Sequence, residues 1–439
     1  MIRQRVLVGM TIVLACATAL ARSDTSSLAI QPAFAGPMLE ATNPGTPGAD
    51  LDELLGLVRG LSPDVAAAIL EAQAAEAAAK SAGALDDPEL FFSLEDVERS
   101  PGGLPEEAGT VFLGLEQRFP WWGKRRLRRE VAQAQAGRSK SAARLVKLEI
   151  ESRLKRAFAD AWFASQAVAL TGEIERDLRA IVESTLDRYA IGRARQGEVS
   201  EAEIALNAAL TQKRRLQASL TAAKAEVNAL LDRDPAAPLE NPASLPHLPP
   251  VEAMTAEHLL ARALTGSPAL EELRSEIAEA IGDRSLAGAD WYPDFTLGFT
   301  IVEGLPGDAS DGYEASFRMN LPLQWGVRRA RVSEASAKLS AAEHRLRAAR
   351  RDLEASLTAL LDALEAAQFE GEILSGPDLR QAEAALAAAE AAYPLGRAEI
   401  GEVLRARQAV KTLRLEHLRT VAEQQRLLAD IELLIGGEL

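Results

Sequence analysis

The chain is poor in the residues that do chemistry. Its single cysteine, Cys16, excludes any intrachain disulfide. The four histidines, His247, His258, His344 and His417, are scattered, with no HExxH pair and no cluster at metal-ligand spacing. No glycine-rich phosphate loop and no nucleophile elbow occurs. The chain therefore reads as non-enzymatic, without cofactor or metal. Aromatic residues make up only 5%, and Ala, Leu, Glu and Arg dominate, a composition that favours long helices. A formal net charge of −15 argues against nucleic acid, whose phosphates need a basic face. Beyond the N-terminus, no run approaches the roughly 20 apolar residues of a transmembrane helix, so any membrane part must be built from strands.

The N-terminus reads as an export signal over residues 1–21. Arg3 and Arg5 precede an apolar run from Val6 to Ala15, and small residues close at Ala19-Leu20-Ala21. Val13-Leu14-Ala15-Cys16 also resembles a bacterial lipoprotein cleavage site. Two readings stand: lipidation at Cys16, or cleavage at Ala21 that discards it. Residues 22–50 read as a flexible segment.

The rest is a duplication with a period of about 204 residues. Tyr189, Gly192, Gly197, Glu198 and Val199 recur as Tyr393, Gly396, Gly401, Glu402 and Val403. Ser62-Pro63 recurs as Ser267-Pro268, Pro120 as Pro322 and Gly123 as Gly326. The copies span 51–234 and 251–439, and the proline-rich 235–250 reads as an extended linker. Each copy is expected to run short helix, helix, strand, loop, strand, very long helix, tight turn, helix. Ser62 and Ser267 are expected to cap helices that open on proline. No proline occurs between Trp121 and Asp234, and Leu154, Phe158, Ala161, Leu170, Ile174, Leu178 and Ile181 keep helical spacing. One helix from Lys124 to Arg188 would be about 100 Å long. A return helix, Glu198 to Leu231, is expected to bury Val199, Ala202, Leu206, Leu210, Leu216, Leu220 and Val227. In the second copy, Ser375-Gly376-Pro377 predicts a break or kink.

The strand segments alternate. In Tyr313 to Leu321 the odd positions are Tyr313, Ala315, Phe317, Met319 and Leu321, and the even ones are polar. Phe295 to Ile301 and Val111 to Glu116 alternate likewise, and Leu90 to Glu95 does so most weakly. Residues 96–109 and 303–312 read as loops. A soluble antiparallel sheet would alternate too, but Trp121, Trp122, Trp291, Tyr292 and Trp325 gather at the strand ends facing the long helices, like the aromatic girdle of a membrane barrel. Four strands cannot close a barrel and open edges are excluded from lipid, so several chains must share one. Basic clusters follow the girdle at Lys124-Arg125-Arg126 with Arg128-Arg129, and at Arg328-Arg329 with Arg331. Lipid phosphate is their expected partner, ahead of ion pairs between subunits. Glu383 and Glu390, on one helical face, read either as a pore entrance or as a solvated face. Asp187 is a third constriction candidate.

The export signal, the duplicated unit, Phe119-Pro120-Trp121-Trp122-Gly123-Lys124-Arg125 and the Tyr-x-x-Gly tips together resemble the TolC-type outer-membrane efflux channels, over about residues 50–439. The Pro-Trp-Trp-Gly-Lys-Arg stretch is most similar to the branch serving cation and metal pumps. The second copy departs, reading Pro322-Leu323-Gln324-Trp325-Gly326-Val327-Arg328. The resemblance implies a mainly α fold with a small transmembrane β part: a homotrimer with a twelve-stranded barrel in the outer membrane of a Gram-negative bacterium, continued by a helical tunnel in the periplasm. It implies an exit duct fed by an inner-membrane efflux transporter through a periplasmic adaptor. Tyr189, Gly192, Gly197, Tyr393, Gly396 and Gly401 would be the docking tips. The alternatives are a periplasmic coiled-coil protein bridging the envelope layers, or the outer-membrane component of type I protein secretion.

Overall fold

A computed structural model describes residues 46–99, 105–250, 254–304, 312–393, 395 and 397–439. The export signal, Cys16, residues 22–45 and Gly396 lie outside the described residues. Pro47–Leu439 form one compact unit, and Met1–Thr46 are assigned to another.

The first copy contains α1 (Leu51–Leu61), α2 (Pro63–Ser81), β1 (Glu89–Arg99), β2 (Pro105–Phe119), α3 (Lys124–Ala190) and α4 (Gln196–Leu230). The second contains α5 (Ala256–Gly266), α6 (Pro268–Ala289), β3 (Phe295–Gly304), β4 (Gly312–Met319), α7 (Trp325–Ile373), a π-helical segment (Leu374–Asp378), α8 (Leu379–Ala392) and α9 (Ile400–Ile435). At 67 residues, α3 is about 100 Å long and unbroken. Gly123, at φ +89°, turns the chain into it, a backbone state that suits glycine.

Several local expectations are corrected. Ser62 and Ser267 make no side-chain cap; their amides instead close the preceding helices onto Val58 and Ala263, and their carbonyls accept from Ala66 and Glu271. On α4, Leu210 is exposed. The buried stripe runs Ala202, Ala209, Leu216, Ala223, the seven-residue repeat of a coiled coil rather than the 3.6-residue period of an isolated helix. The interruption expected at Ser375-Gly376-Pro377 is present and takes the form of one π turn between α7 and α8. Pro377 has no amide to donate, and the wider turn accommodates its ring, while Ser375 Oγ donates to the Gly371 carbonyl at 2.7 Å.

Two apolar cores sit partway along the long helices, one per copy. In the first, Leu54, Leu55 and Val58 of α1 pack on Leu154 and Phe158 of α3 and on Val227. In the second, Leu259, Leu270, Leu357 and Ile431 do the corresponding work. Ion pairs join the copies: Lys155 with Glu432 at 2.5 Å, Arg426 with Asp160 at 2.7 Å and Arg144 with Glu271 at 3.2 Å. The 235–250 linker is strapped to the helices rather than free. Lys224 donates to the Leu239 carbonyl, Asn228 to those of Pro235 and Ala237, and Gln425 to that of Pro246. The Pro47 and Ala49 carbonyls accept from Glu240 and Ala243, so the end of the segment read as flexible is held in place.

The four strands form one antiparallel sheet in the order β1-β2-β3-β4, so the copies meet through β2 and β3. The first hairpin is longer than expected. Val97 pairs with Ala108 and Glu98 with Glu107, so the backbone ladder extends into residues whose composition suggested a loop. β4 ends at Met319 rather than Leu321.

Candidate functional site

Register decides which side chains share a face. Leu90, Leu115 and Phe299 lie in one row across β1, β2 and β3; Phe92, Leu113 and Ile301 lie in another; and Leu297 lies opposite Phe317. One side of the sheet is thus apolar, and Phe317 on it is 63% exposed. The opposite side carries Glu116, Thr296, Ser316 and an ion pair between Arg318 and Glu116. Gly114 lies under the Phe91 ring on this polar side, where a β-carbon would fall 2.2 Å from the ring. At the helix end, Trp121 stacks on Tyr292 with centroids 5.4 Å apart, and Trp122 meets Trp121 edge-on at 4.8 Å. Trp122, Trp291, Tyr292 and Trp325 are all exposed. No helix among the described residues is long and apolar enough to cross a membrane.

Within the first basic cluster, Lys124 serves a different purpose from the one expected. Lys124 is 4% exposed; its ammonium lies 2.8 Å from the Asp294 carboxylate and 3.0 Å from the Tyr292 carbonyl. Asp294 also accepts from the Trp121 amide at 3.0 Å and from Arg118 at 3.2 Å. Its backbone is tied to Asn320 in both directions. Lys124 therefore clamps the start of α3 to the entry of β3, and burial keeps it from lipid phosphate. Arg125 donates to the Gly83 carbonyl, Arg328 to that of Asp290, and Arg331 pairs with the Asp290 carboxylate at 3.6 Å. Positive charge at these helix starts is taken up largely within the chain. A lone Asp before a strand carries no signal in sequence, so this partner was invisible there.

At the far end of the long helices, two turns come together. Gly192, at φ +73°, reverses the first; its amide donates to the Tyr189 carbonyl at 2.9 Å and the Arg193 amide to that of Arg188 at 2.7 Å. Glu198 accepts from the Arg195 amide at 3.2 Å, and the repeated valines Val199 and Val403 are buried. Tyr189 is exposed, as are Ile191 and Leu395 at the turns. Tyr393 is partly buried beneath the Arg188 guanidinium, 4.4 Å from the ring centroid, which links the two tips. Gly197 faces open space, whereas a β-carbon on Gly401 would sit 3.0 Å from the Glu201 carboxylate of α4. Gly401 therefore marks a close approach between the hairpins.

Glu383 accepts from Arg414 at 2.6 Å. Glu390 accepts from Arg407 at 2.6 Å, and Arg407 also reaches Asp177 of α3 at 3.4 Å. These two carboxylates, read as pore entrance or solvated face, are paired across the second hairpin. Asp187 is exposed near the first tip. Sequence held the signal for the pairing: Arg407 and Arg414 are spaced by seven residues, as are Glu383 and Glu390. Among the described residues, no group of three or more His, Cys, Asp or Glu could hold a metal ion.

Known proteins match this architecture. The sequence profile of the family described as outer membrane efflux protein matches residues 54–233 and again 259–437. No individual curated protein matches in sequence. In fold, the chain is similar to the outer membrane protein VceC from Vibrio cholerae, at 20% identity and TM-score 0.75, covering 88% of this chain and 96% of that one. It is also similar to the Campylobacter jejuni CmeC outer membrane channel, at 14% identity and TM-score 0.76, covering 88% and 85% of the two chains. The open state of the Neisseria gonorrhoeae MtrE outer membrane channel matches at 16% identity and TM-score 0.71, covering 89% of each. With a duplicated helical unit, a two-faced sheet and a profile that matches both copies, the chain belongs to the outer membrane efflux protein family.

Proposed function

We propose that the chain is the outer-membrane exit duct of a tripartite efflux system, a homotrimer whose strands form one twelve-stranded barrel and whose helices continue it as a periplasmic tunnel. The observation that carries this reading is the sheet. It has one apolar exposed face, one polar face, a cluster of exposed aromatic rings at the helix end, and two edges, β1 and β4, with no partner among the described residues. Lipid does not tolerate such edges, and pairing β1 of one copy with β4 of the next removes them. Three copies would enclose a polar lumen within an apolar exterior. A periplasmic bridging protein would have no use for the exposed apolar face.

Solutes would move down their gradient through this duct, delivered by an inner-membrane pump through an adaptor docked at the tips around Tyr189, Gly192, Gly197, Tyr393, Gly396 and Gly401. The Pro120 to Arg125 stretch that resembles the metal-efflux branch supplies the Lys124 clamp, so cargo must be established by transport. The test is a deletion strain complemented with the chain, assayed for outer-membrane fractionation and for export of both metal cations and organic drugs. Recovery of the chain in the soluble periplasm, with no export restored, would refute the duct.

A further inference from the structure

Between the π segment and the tips, α3, α8 and α9 enclose a groove of about 230 Å³. Leu170, Ile174 and Leu178 of α3, Leu386 of α8 and Val410 of α9 give it apolar walls. Lys411 is part of the lining and only 7% exposed. The charges around it are otherwise spoken for: Arg407 holds Asp177 and Glu390, and Arg414 holds Glu383, leaving Glu173 on the exposed rim. Lys411 has no ion pair and no hydrogen bond among the described residues, and Glu173 is likewise unpaired but exposed. Burial pushes its pKa down, and no neighbouring carboxylate holds it up. The Lys411 stem is buried but its ammonium is not sealed from solvent, so a counter-charge can reach it from the groove.

We propose that this groove binds a small amphipathic carboxylate, its apolar body against Leu170, Ile174, Leu178 and Leu386 and its charge on Lys411. A bare inorganic anion would leave the walls uncovered, and a neutral apolar solute would leave the ammonium unpaired. A ligand seated there touches all three helices, so its occupancy ties the second hairpin to α3. The site is independent of the duct reading, because it needs only the hairpin geometry within one chain.

The experiment is calorimetric titration of the purified full-length chain in nonionic detergent with hexanoate, with 1-hexanol and acetate as comparison probes. Saturable hexanoate binding is expected, weakened about tenfold or more in Lys411→Met and largely retained in Lys411→Arg. Methionine keeps an unbranched stem on α9 and removes only the unpaired charge, so the variant should fold, which circular dichroism checks. Leu386→Gln, which leaves Lys411 intact, should also weaken hexanoate by disrupting the apolar wall. Equal hexanoate affinity in Lys411→Met overturns the assignment, as does 1-hexanol binding as tightly as hexanoate. Absence of hexanoate binding in the wild type overturns it too, including the case in which a carboxylate from a neighbouring copy already fills the groove.

Discussion

The first copy sends its chain outward along one continuous α-helix of 67 residues, whereas the second covers a comparable stretch with α7, a π turn and α8. The return helices differ in how they are fastened. Glu175 of α3 bridges Arg179 and Lys213 at 2.8 Å each, which laces the first hairpin to itself. In the second, Arg407 pairs both within its hairpin and across to α3. The copies also differ at the sheet junction, where Lys124 is a buried clamp and the corresponding stretch of the second copy carries exposed Val327. Duplication supplied two equivalent units; divergence left the first outgoing helix continuous and put a π turn in the second. Among the described helices, the adjacent Gly376-Pro377 pair falls only in the second copy, at its π turn.

The largest effect should come from the junction. Lys124→Met leaves the Asp294 carboxylate buried with its main partner gone and should cost about 3–5 kcal/mol of stability. Val327→Met, its counterpart in the second copy, should change little. Urea unfolding of the refolded protein measures both, and equal effects would mean the copies are fastened to the sheet alike.

Next is the contrast between the two faces of β4. Phe317→Arg should cost about 2–4 kcal/mol if the position lies near the bilayer midplane, while Ser316→Arg on the polar side should be tolerated. Folding into lipid vesicles of defined thickness separates them, and equal tolerance would remove the membrane assignment of the apolar face.

At the tips, Gly192→Val forces a β-branched residue into the left-handed backbone region, at about 1–3 kcal/mol, whereas Gly197→Val meets no neighbour within 4 Å. Both variants should assemble. If the tips dock a partner, Gly192→Val should lose cross-linking to the adaptor, and Gly396→Val in the second copy should abolish efflux. Normal cross-linking and export in both would detach these glycines from partner recognition. The smallest expected effect is Arg414→Ala, which breaks a half-exposed pair worth about 0.2–1 kcal/mol and frees Glu383. Single-channel recording should show a change in conductance or resting closure with little change in melting temperature. The double replacement Glu383→Gln with Glu390→Gln should also alter conductance, without removing adaptor binding.

Much of this was legible in the sequence. The long helix showed itself through absent proline and sustained apolar spacing, and the strand faces through strict alternation at Tyr313 to Met319. These are local patterns that one periodicity dictates. What was not legible depends on distant partners. The pairing of β2 with β3 joins residues about 180 apart in the chain, and nothing near Asp294 announces Lys124. Charge at a helix start opposes the helix dipole and points in sequence to lipid, yet Lys124, Arg125 and Arg126 have acceptors within the fold. Leu210 was misplaced because supercoiling draws the buried stripe from a 3.6-residue to a 3.5-residue period, so Ala209 takes the inner position.

The central claim is that four strands per chain are a fragment of a barrel closed by other copies. Native mass spectrometry of the purified chain, extracted from membranes in nonionic detergent, counts those copies directly. The account predicts a particle of three chains that persists until heated. A stable monomer, with the edges of β1 and β4 left open, would contradict it.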